Sequence, residues 1–470
     1  MAPRGGASAS SSRGFAVSES GAATSAYPRV LVINYRAFNK KFATGITTSN
    51  LFADWPRDCI AQIFVNEDGL DDTVCSRNRQ LTFQDIRMPL SLHRVTRAYR
   101  RGKAETRSVS EERRQRSPHD VSGQSNRAYD RTRTSIRSAI ISYAMSHASY
   151  GLSGPLRQWI EDFKPQVIYS ALEESKITAF VKQVAKTYRI PVIPHFLDDW
   201  LIMPMSGSVR HEAVLRTLRK NALSIMAEAP VRMVVGDRMA EEYRQRYDMS
   251  FVPFMNCVEV GSYRAPVRRP GRRFVFAFCG GLHSNRWRLL MDIGHALREL
   301  KALSIDAELQ ISFGAADDAV VSELAAMETI VCLGSLSPAE VSTVMSNADC
   351  LVHVDAFEDR AKAYMRYSLS AKLPEYFRAG RPVLGYGPGD LGSMRYIRES
   401  GAGVIVGEQD AGQLRETLQK LIQDEEWRLQ LGRRAYDAAR ERHDGARVRT
   451  EFRSVIGSAV FGPSAEGPGR

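Results

Sequence analysis

The sequence predicts an α/β protein made of two doubly wound, Rossmann-like domains. Short apolar runs, typical of buried strands, alternate with amphipathic segments, typical of helices, over residues 27–258 and again over residues 273–445. Between these arrays, residues 259–272 carry two prolines and four arginines without apolar periodicity, which is typical of a linker. The chain has 470 residues, which accommodates two such domains of roughly 200 residues each.

The composition is that of a globular protein with an affinity for anions. Hydrophobic residues make up 43% and charged residues 25% of the chain, which permits a sizeable core. The net charge of +12 favours polyanions, that is, nucleic acid, anionic lipid or phosphorylated substrates. No apolar run reaches the length of a membrane span, and no secretory signal is visible. The six cysteines form no CxxC pair, so we expect reduced thiols and a cytoplasmic protein.

The first domain follows a low-complexity start. Residues 1–26 are rich in Ser, Ala and Gly, and we expect a disordered tail of a bacterial protein, although Arg4 and Arg13 would also fit a transit peptide. The apolar run at 29–35 predicts the first strand of a parallel sheet, and residues 59–65 predict the second.

A basic insertion interrupts this domain. Residues 93–137 contain 13 Lys and Arg but only five Asp and Glu, with almost no large apolar residues between Tyr99 and Tyr129. Contact with an anionic membrane or with an acceptor is one interpretation, and a solvated loop is the other. Nucleic acid is disfavoured because no recognition motif or aromatic platform accompanies the charge.

Strand and helix patterns then resume. A helix is expected near residues 134–150 and another over residues 175–188. The remaining predicted elements of this domain are strands at 166–171, 190–196, 231–235 and 250–256 and a helix at 237–247.

The second array begins with a strand at 274–279 and continues with strands near 307–313, 329–334 and 349–355. Ser337, followed by Pro338 and Glu340, forms a capping box with proline at the first helical position, so a helix begins there. Beyond Asp410 the pattern is helical to about residue 455.

Residues 364–388 contain the most informative pattern. Lys372 and Glu375 are three positions apart, which places both on one face of a helix. Pro374 requires that this helix begin between Ser370 and residue 373, and Gly380 is suited to the left-handed position after its end. A basic residue and exposed amides at a helix start favour phosphate. The alternative is an ordinary surface ion pair.

The string KLPEYFRAGRPVLGYGP at 372–388, with a later strand at 401–406, resembles the donor half of GT-B fold glycosyltransferases, especially family 4. In that family a glutamate before the apolar helix holds the ribose of a nucleotide sugar, and Glu375 matches it. The earlier glutamate of the family falls on Tyr367, so the pair of acids is incomplete here. The resemblance covers roughly residues 27–450 and implies two domains that face each other across a cleft. Residues 446–470 would form a C-terminal helix and tail, and in GT-B proteins the last helix often crosses back onto the first domain.

A second stretch of the resemblance lies at 278–287, where a strand turns on paired glycines into a helix. The loop is similar to the family's Gly-Arg-Leu-x-x-x-Lys-Gly, with Gly281 in place of the arginine and Arg286 in place of the lysine. The resemblance thus implies that Arg286 and Lys372 clamp the donor diphosphate, for which a guanidinium is well suited. The implied donor contacts are Gly280, Gly281, Arg286, Ser370, Lys372 and Glu375. The alternative for Arg286 is a surface residue at a helix start.

First-domain candidates follow from strand ends. His195 resembles the family's histidine near the sugar ring, and Asp198 could orient it or accept a proton from the acceptor. A helix-capping role is the alternative for Asp198 and Asp199, and adjacent carboxylates without further ligands argue against a metal. Gly45 and Thr47 lie in the loop that, in GT-B enzymes, contacts acceptor and donor phosphate; a plain strand-to-helix turn is the alternative. Asn256 resembles a structural turn of the family.

The resemblance implies a glycosyltransferase without a cofactor, since the nucleotide sugar is a substrate. Its partners would be that donor and a glycan or lipid-linked acceptor, in cell-surface polysaccharide or glycolipid synthesis at the inner face of the membrane. It further implies a metal-independent reaction that retains anomeric configuration. The alternatives are a nucleotide-sugar 2-epimerase and a non-catalytic scaffold, the latter suggested by Tyr367 and Gly281. A nicotinamide dehydrogenase is disfavoured because neither first strand precedes GxGxxG.

Overall fold

The computed structural model describes residues 27–41, 43–87, 149–202, 209–263, 271–358, 362 and 365–462. The expectations for the tail at 1–26, the basic insertion at 93–137 and the last eight residues fall outside these ranges. The helix expected at 134–150 also lies outside them, except for residues 149 and 150.

The first half of the chain contains nine strands and five α-helices within the described residues, besides a 3-10 turn at Phe83–Asp85. In chain order they are β1 (Val30–Ile33), α1 (Ala43–Leu51), β2 (Ile60–Phe64), β3 (Arg77–Gln80), β4 (Ile86–Arg87), β5 (Ser149–Tyr150), α2 (Gly154–Phe163), β6 (Val167–Ser170), α3 (Ser175–Tyr188), β7 (Val192–Phe196), α4 (Val209–Glu228), β8 (Met233–Val234), α5 (Asp237–Tyr247) and β9 (Val252–Pro253).

Seven of these strands form one parallel sheet in the order β3-β2-β1-β6-β7-β8-β9. The central strands β1, β2, β6 and β7 are buried on both faces, which explains their continuous apolar runs. The order reverses direction between β1 and β6, so a crevice opens at the carboxyl ends of these two strands.

The second half repeats this architecture. Its elements are β10 (Phe274–Cys279), α6 (Arg286–Ala302), β11 (Ala307–Ser312), α7 (Asp318–Ala325), β12 (Ile330–Gly334), α8 (Pro338–Asn347), β13 (Cys350–Val354), α9 (Leu373–Arg378), β14 (Val383–Tyr386), α10 (Gly392–Glu399), β15 (Gly403–Val406), α11 (Ala411–Gln423), α12 (Glu425–Arg442) and α13 (Gly445–Phe461). Six parallel strands run in the order β12-β11-β10-β13-β14-β15, with the reversal between β10 and β13. The predicted class, two doubly wound α/β units, is therefore confirmed.

The last helix, α13, crosses back onto the first half, as the resemblance implied. Phe452 and Ile456 of α13 are fully buried in the same apolar cluster as Val30 of β1. The backbone crosses at Val258, whose N–H donates to the carbonyl of His443 and whose carbonyl accepts from the N–H of Gly445. The chain thus passes between the two halves twice.

Several details differ from the sequence-based expectations. Ser149 and Tyr150 form β5, paired antiparallel with β4, and do not end a helix. The polar run Arg77–Gln80 forms the edge strand β3, which no apolar pattern indicates. Gly45 lies inside α1, whereas a turn before the helix was expected, and its missing side chain makes room for Asn39, whose amide nitrogen would be 1.8 Å from a Cβ there.

Within the described ranges, no helix is both long and apolar enough to cross a membrane. All six cysteines are free, so no disulfide constrains either half.

Candidate functional site

The candidate site lies at the carboxyl edges of the two sheets, near the strand-order reversals. In the second half, the loop after β10 carries the two glycines and leads to Arg286 at the start of α6. The N–H of Gly280 donates to the carbonyl of Ser312 and is therefore not available to a ligand. A Cβ on Gly280 would lie 2.6 Å from the Nζ of Lys372 and 2.6 Å from the ring of Phe278, so a larger residue here would displace one of these side chains.

The turn into α6 is unusual for residues that carry side chains. Ser284 and Asn285 both have φ of 56°, in the left-handed region. Such conformations persist only where surrounding contacts hold them, and they occur often at ligand sites. Asn285 is held by a hydrogen bond to the carboxylate of Glu358. The turn therefore fixes the point at which Arg286 leaves the loop.

Arg286 is held by a buried carboxylate that the sequence patterns did not single out. Its guanidinium donates to Asp355 Oδ1 at 2.8 Å, and Asp355 Oδ2 lies 3.0 Å from Nε2 of His353. The Asp355 side chain is 1% exposed. Burial alone would raise the pKa of Asp355, but His353 and Arg286 outweigh burial and lower it, so the carboxylate is ionised. In the sequence, Asp355 could have been recognised as a site candidate because it directly follows β13, a strand next to the reversal of the strand order.

Lys372 lies beside this pair. Helix α9 begins at Leu373 and Gly380 has φ of 63°, as predicted, but the helix has only six residues and Lys372 is its N-cap. The helix dipole would therefore stabilise an anion at this helix start less than the sequence suggested. Burial, followed by the charge of Arg286, lowers the pKa of Lys372 to about 8. Two cations thus lie close together at one edge of the sheet.

Glu375 and Ser370 complete this cluster. Glu375 is half-buried, and burial raises its pKa against the opposing charges of Arg378 and Lys372. Half-burial of both Lys372 and Glu375 disfavours the alternative of a solvated surface pair. The N–H of Ser370 donates to Ser393 Oγ at 3.0 Å, which ties the loop at 365–372 to α10.

The first-half candidates are distributed differently from the prediction. His195 is fully buried inside β7, where Nε2 donates to the carbonyl of Phe254 at 2.9 Å and Nδ1 accepts from the hydroxyl of Tyr169 at 2.5 Å. Burial lowers the pKa of His195 to about 4, so the ring is neutral. The structure therefore places His195 in the core and not at the cleft edge.

The two aspartates after β7 have different environments. Asp199 is buried and accepts hydrogen bonds from Arg246, at 2.9 Å, and from the hydroxyl of Tyr243, at 2.7 Å. Asp198 is partly exposed and close enough to Glu173 to raise the pKa of that carboxyl. Asp199 is thus structural, while Asp198 faces another acid.

Glu173 was not singled out from the sequence. It follows β6 at the strand-order reversal of the first sheet, and its Oε1 atom is buried without a hydrogen-bond partner. Burial, then the charge of Asp198, raises its pKa to about 7, while Thr44 and Arg36 oppose this shift. Two consecutive glutamates after a buried strand were the available signal. Thr47 and Gly45, the predicted loop residues, are both buried in α1.

The loop at 365–372 also contacts the first half. Tyr367 donates to Glu242 Oε2 at 2.8 Å, and Asn256 Nδ2 donates to the carbonyl of Ala371 at 2.6 Å. Asn256 therefore acts structurally, as expected, by holding the backbone of Ala371, the residue before Lys372. No group of three or more His, Cys, Asp or Glu side chains with metal-binding geometry occurs among the residues that the structure describes.

Comparisons with known proteins bear on the fold. No protein-family model matches the chain. A search of curated protein sequences gives no match either. Solved structures do match: sucrose-phosphate synthase from Thermosynechococcus elongatus has a TM-score of 0.57 at 11% identity, covering 90% of this chain and 97% of that chain.

Two further structures are similar over nearly the whole chain. HepE of Anabaena, in complex with UDP, has a TM-score of 0.58 at 13% identity, covering 92% of this chain and all of that one. WaaG, a glycosyltransferase involved in lipopolysaccharide biosynthesis, has a TM-score of 0.53 at 12% identity with the same coverage. Together with the two parallel sheets and their order, these similarities show that the chain has the GT-B glycosyltransferase fold.

Proposed function

We propose that the chain is a glycosyltransferase that moves a sugar from a nucleotide-sugar donor to an acceptor hydroxyl. The observation that carries the proposal is the pair of half-buried cations, Arg286 and Lys372, at the edge of the second sheet. On the Arg286 side, Asp355 partly offsets their mutual repulsion. A bound diphosphate would relieve this repulsion, since it brings negative charge to both groups.

In the reaction, the acceptor oxygen bonds to the anomeric carbon while the bond from that carbon to the diphosphate oxygen breaks. The electron pair leaves with the nucleoside diphosphate, and Arg286 and Lys372 stabilise the charge that develops there. This stabilisation requires no metal at the diphosphate. Closure of the two halves would align the reactants and exclude water, which suppresses donor hydrolysis.

Glu375 is assigned to the ribose of the donor. Its carboxyl lies one turn into α9, next to Lys372, and is half-buried. A diol offers two hydroxyl donors to such a group. Ser370, Gly280 and Gly281 would line the rest of the donor site.

The similar structures support a nucleotide-sugar donor and a role in surface glycans. HepE of Anabaena has been crystallised with UDP-glucose, at a TM-score of 0.56 and 14% identity, and WaaG acts in lipopolysaccharide biosynthesis. We therefore infer a glycan or lipid-linked acceptor. By the likeness to family 4 we also infer retention of anomeric configuration, a cytoplasmic location, and membrane contact through the basic insertion at 93–137.

The test is incubation with a panel of nucleotide sugars, beginning with UDP-glucose, and with octyl glycosides as acceptors. We expect release of one nucleoside diphosphate, formation of a glycosylated product by mass spectrometry, and a retained anomer by NMR. Release of a free epimerised sugar or nucleotide without acceptor would instead indicate the 2-epimerase. The absence of both turnover and donor binding would favour the scaffold.

A further inference from the structure

The carboxyl groups of Glu173 and Glu174 differ in how far the described structure satisfies them. Glu174 is the N-cap of α3, and its Oε2 accepts from the N–H groups of Lys176 and Ile177, both at 3.0 Å. Glu173, in contrast, leaves Oε1 buried without a hydrogen-bond partner among the described residues. A buried polar atom without a partner costs about 1–3 kcal/mol, which indicates a partner absent from the structure.

The backbone just before Glu173 has a strained conformation, and this turn places Glu173 at the carboxyl edge of the sheet. Leu172 has φ of 50°, a left-handed conformation rarely adopted by a bulky residue. Three hydrogen bonds hold this turn: Ala171 N–H to Asn34 Oδ1 at 2.8 Å, Leu172 N–H to Ser170 Oγ at 3.2 Å, and Thr178 Oγ1 to the carbonyl of Leu172 at 3.2 Å. Strain retained by such contacts is typical of ligand sites.

The surroundings of Glu173 suit a neutral hydroxyl group better than an anion. Thr44 at the start of α1 hydrogen-bonds the carboxyl, Asp198 faces it from the loop after β7, and Arg36 lies on the side of β1. Burial, and then the charge of Glu173, raises the pKa of the Tyr169 hydroxyl on β6. The carboxyl groups of Glu173 and Asp198 outnumber the single guanidinium of Arg36, so this site repels phosphate or carboxylate. A hydroxyl, in contrast, can donate to the unpartnered oxygen.

We propose that Glu173 positions the acceptor, its carboxyl accepting a hydrogen bond from the reacting hydroxyl of a neutral glycoside. This inference rests on the proposed transferase function, because it places Glu173 across the cleft from Arg286 and Lys372. Rotation about the terminal torsion of glutamate exchanges its two carboxyl oxygens, so either can meet the acceptor. Glu173 holds the hydroxyl and does not have to remove its proton, which can pass to the departing diphosphate.

The proposal makes acceptor use depend on pH. An ionised carboxylate accepts a stronger hydrogen bond than a protonated one. With the pKa of Glu173 raised to about 7, the acceptor-binding form is lost as the pH falls through that value. An amide in its place accepts a hydrogen bond at every pH but cannot titrate.

The test measures transfer to octyl β-glucoside, octyl β-galactoside and octyl β-mannoside between pH 5.5 and 8.5, together with calorimetric UDP binding. For the native chain, kcat/KM for the glycoside should rise through about pH 7. Glu173→Gln should keep a measurable rate with no such rise, and Glu173→Ala should raise the acceptor KM by about tenfold, equivalent to one lost hydrogen bond. UDP affinity should stay within about twofold in both variants.

Glu174→Gln is the matched control, because it alters the neighbouring carboxylate that caps α3. It should lower thermal stability slightly and keep the native pH profile. The proposal is overturned if Glu173→Ala leaves the acceptor KM unchanged, if Glu173→Gln keeps the native pH step, or if a chain that binds UDP accepts none of the three glycosides. Failure of the native chain to bind any nucleotide would instead contradict the transferase function itself.

Discussion

Asp355 sets the position and the charge environment of Arg286. It is buried, accepts from the guanidinium at 2.8 Å and pairs with His353 on its other oxygen. The three side chains form a buried chain of hydrogen bonds behind the cation that we assign to the diphosphate. Removing the central charge should therefore affect both folding and donor binding.

Asp355→Asn should destabilise the chain by about 1–3 kcal/mol at pH 7, because charged hydrogen bonds to Arg286 and His353 are weakened. A carboxyl whose folded-state pKa is lowered stabilises the fold above its unfolded value, ordinarily 3.8, and this contribution is lost as the pH falls. Urea unfolding should thus show the native chain and the variant converging below about pH 4. A constant difference down to pH 3 would contradict this.

If Lys372 binds the donor as proposed, donor binding should be sensitive to alkaline pH. Its pKa of about 8 in the free protein means that it loses its proton where an ordinary lysine keeps it. A bound diphosphate favours the charged form, so binding takes up protons and weakens as the pH rises above about 8. Calorimetry of UDP binding from pH 6.5 to 9.5 should show this decline in the native chain. Lys372→Arg should flatten it, because a guanidinium stays charged; equal slopes would exclude the titration of Lys372 as the cause.

The loop at 365–372 is the element on which the proposed donor site depends. It contacts Asn256 of the first half through the carbonyl of Ala371, and its Ser370 is bonded to Ser393 of α10. Gly392, the first residue of α10, packs against this loop so closely that a Cβ would lie 2.4 Å from the carbonyl oxygen of Ser368. The loop can keep its position only if residue 392 lacks a side chain.

Gly392→Ala should displace the loop, weaken UDP affinity several-fold and cost about 1–3 kcal/mol of stability through overpacking. The matched control is Gly457→Ala within α13, where nothing lies within 4 Å of the added Cβ. This change should stabilise the chain by about 0.5–1 kcal/mol and leave UDP affinity unchanged. Thermal unfolding and calorimetry measure both effects, and equal UDP affinities in the two variants would show that the loop does not need its contact with α10.

Elements with strong periodicity were predictable from the sequence, and tertiary contacts were not. The capping box at Ser337 and the helix at Asp237–Tyr247 follow from local patterns, and both are present. Edge strand β3 has no apolar face, so its pairing with β2 leaves no signal. His195 was misplaced because a histidine at a strand end has the same sequence pattern whether its ring faces a cleft or the core. Asp355 and Glu173 become notable only through their burial and their neighbours.

At the scale of the whole molecule, α13, the last helix of the chain, packs into the apolar core of the first half. Phe452 is fully buried and makes edge-to-face contacts with Phe52, Tyr169 and Phe254 of the first half. His443, just before α13, donates from Nδ1 to the carbonyl of Asn256 at 3.2 Å and accepts from Tyr396 at 2.6 Å. The last helix of the chain is therefore part of the hydrophobic core of the first half.

Phe452→Ala should destabilise the chain by about 3–5 kcal/mol, the cost typical of removing a buried phenyl ring. Phe461→Ala, at the end of the same helix where the side chain is 54% exposed, should change stability by less than about 0.5 kcal/mol. Denaturant unfolding followed by tryptophan fluorescence compares them. Similar unfolding midpoints for the two variants would show that α13 does not stabilise the first half.

The most direct test of the central claim, that Arg286 and Lys372 bind the diphosphate of a sugar donor, is calorimetric titration with UDP, GDP, ADP and their sugars. Arg286→Ala and Lys372→Ala should each weaken the binding of one nucleotide at least about tenfold, because each loses a charged hydrogen bond to phosphate. Arg288→Ala, two residues further along α6 and exposed, should bind like the native chain. Native affinity in both cluster variants, or no binding of any nucleotide by the native chain, would contradict the claim.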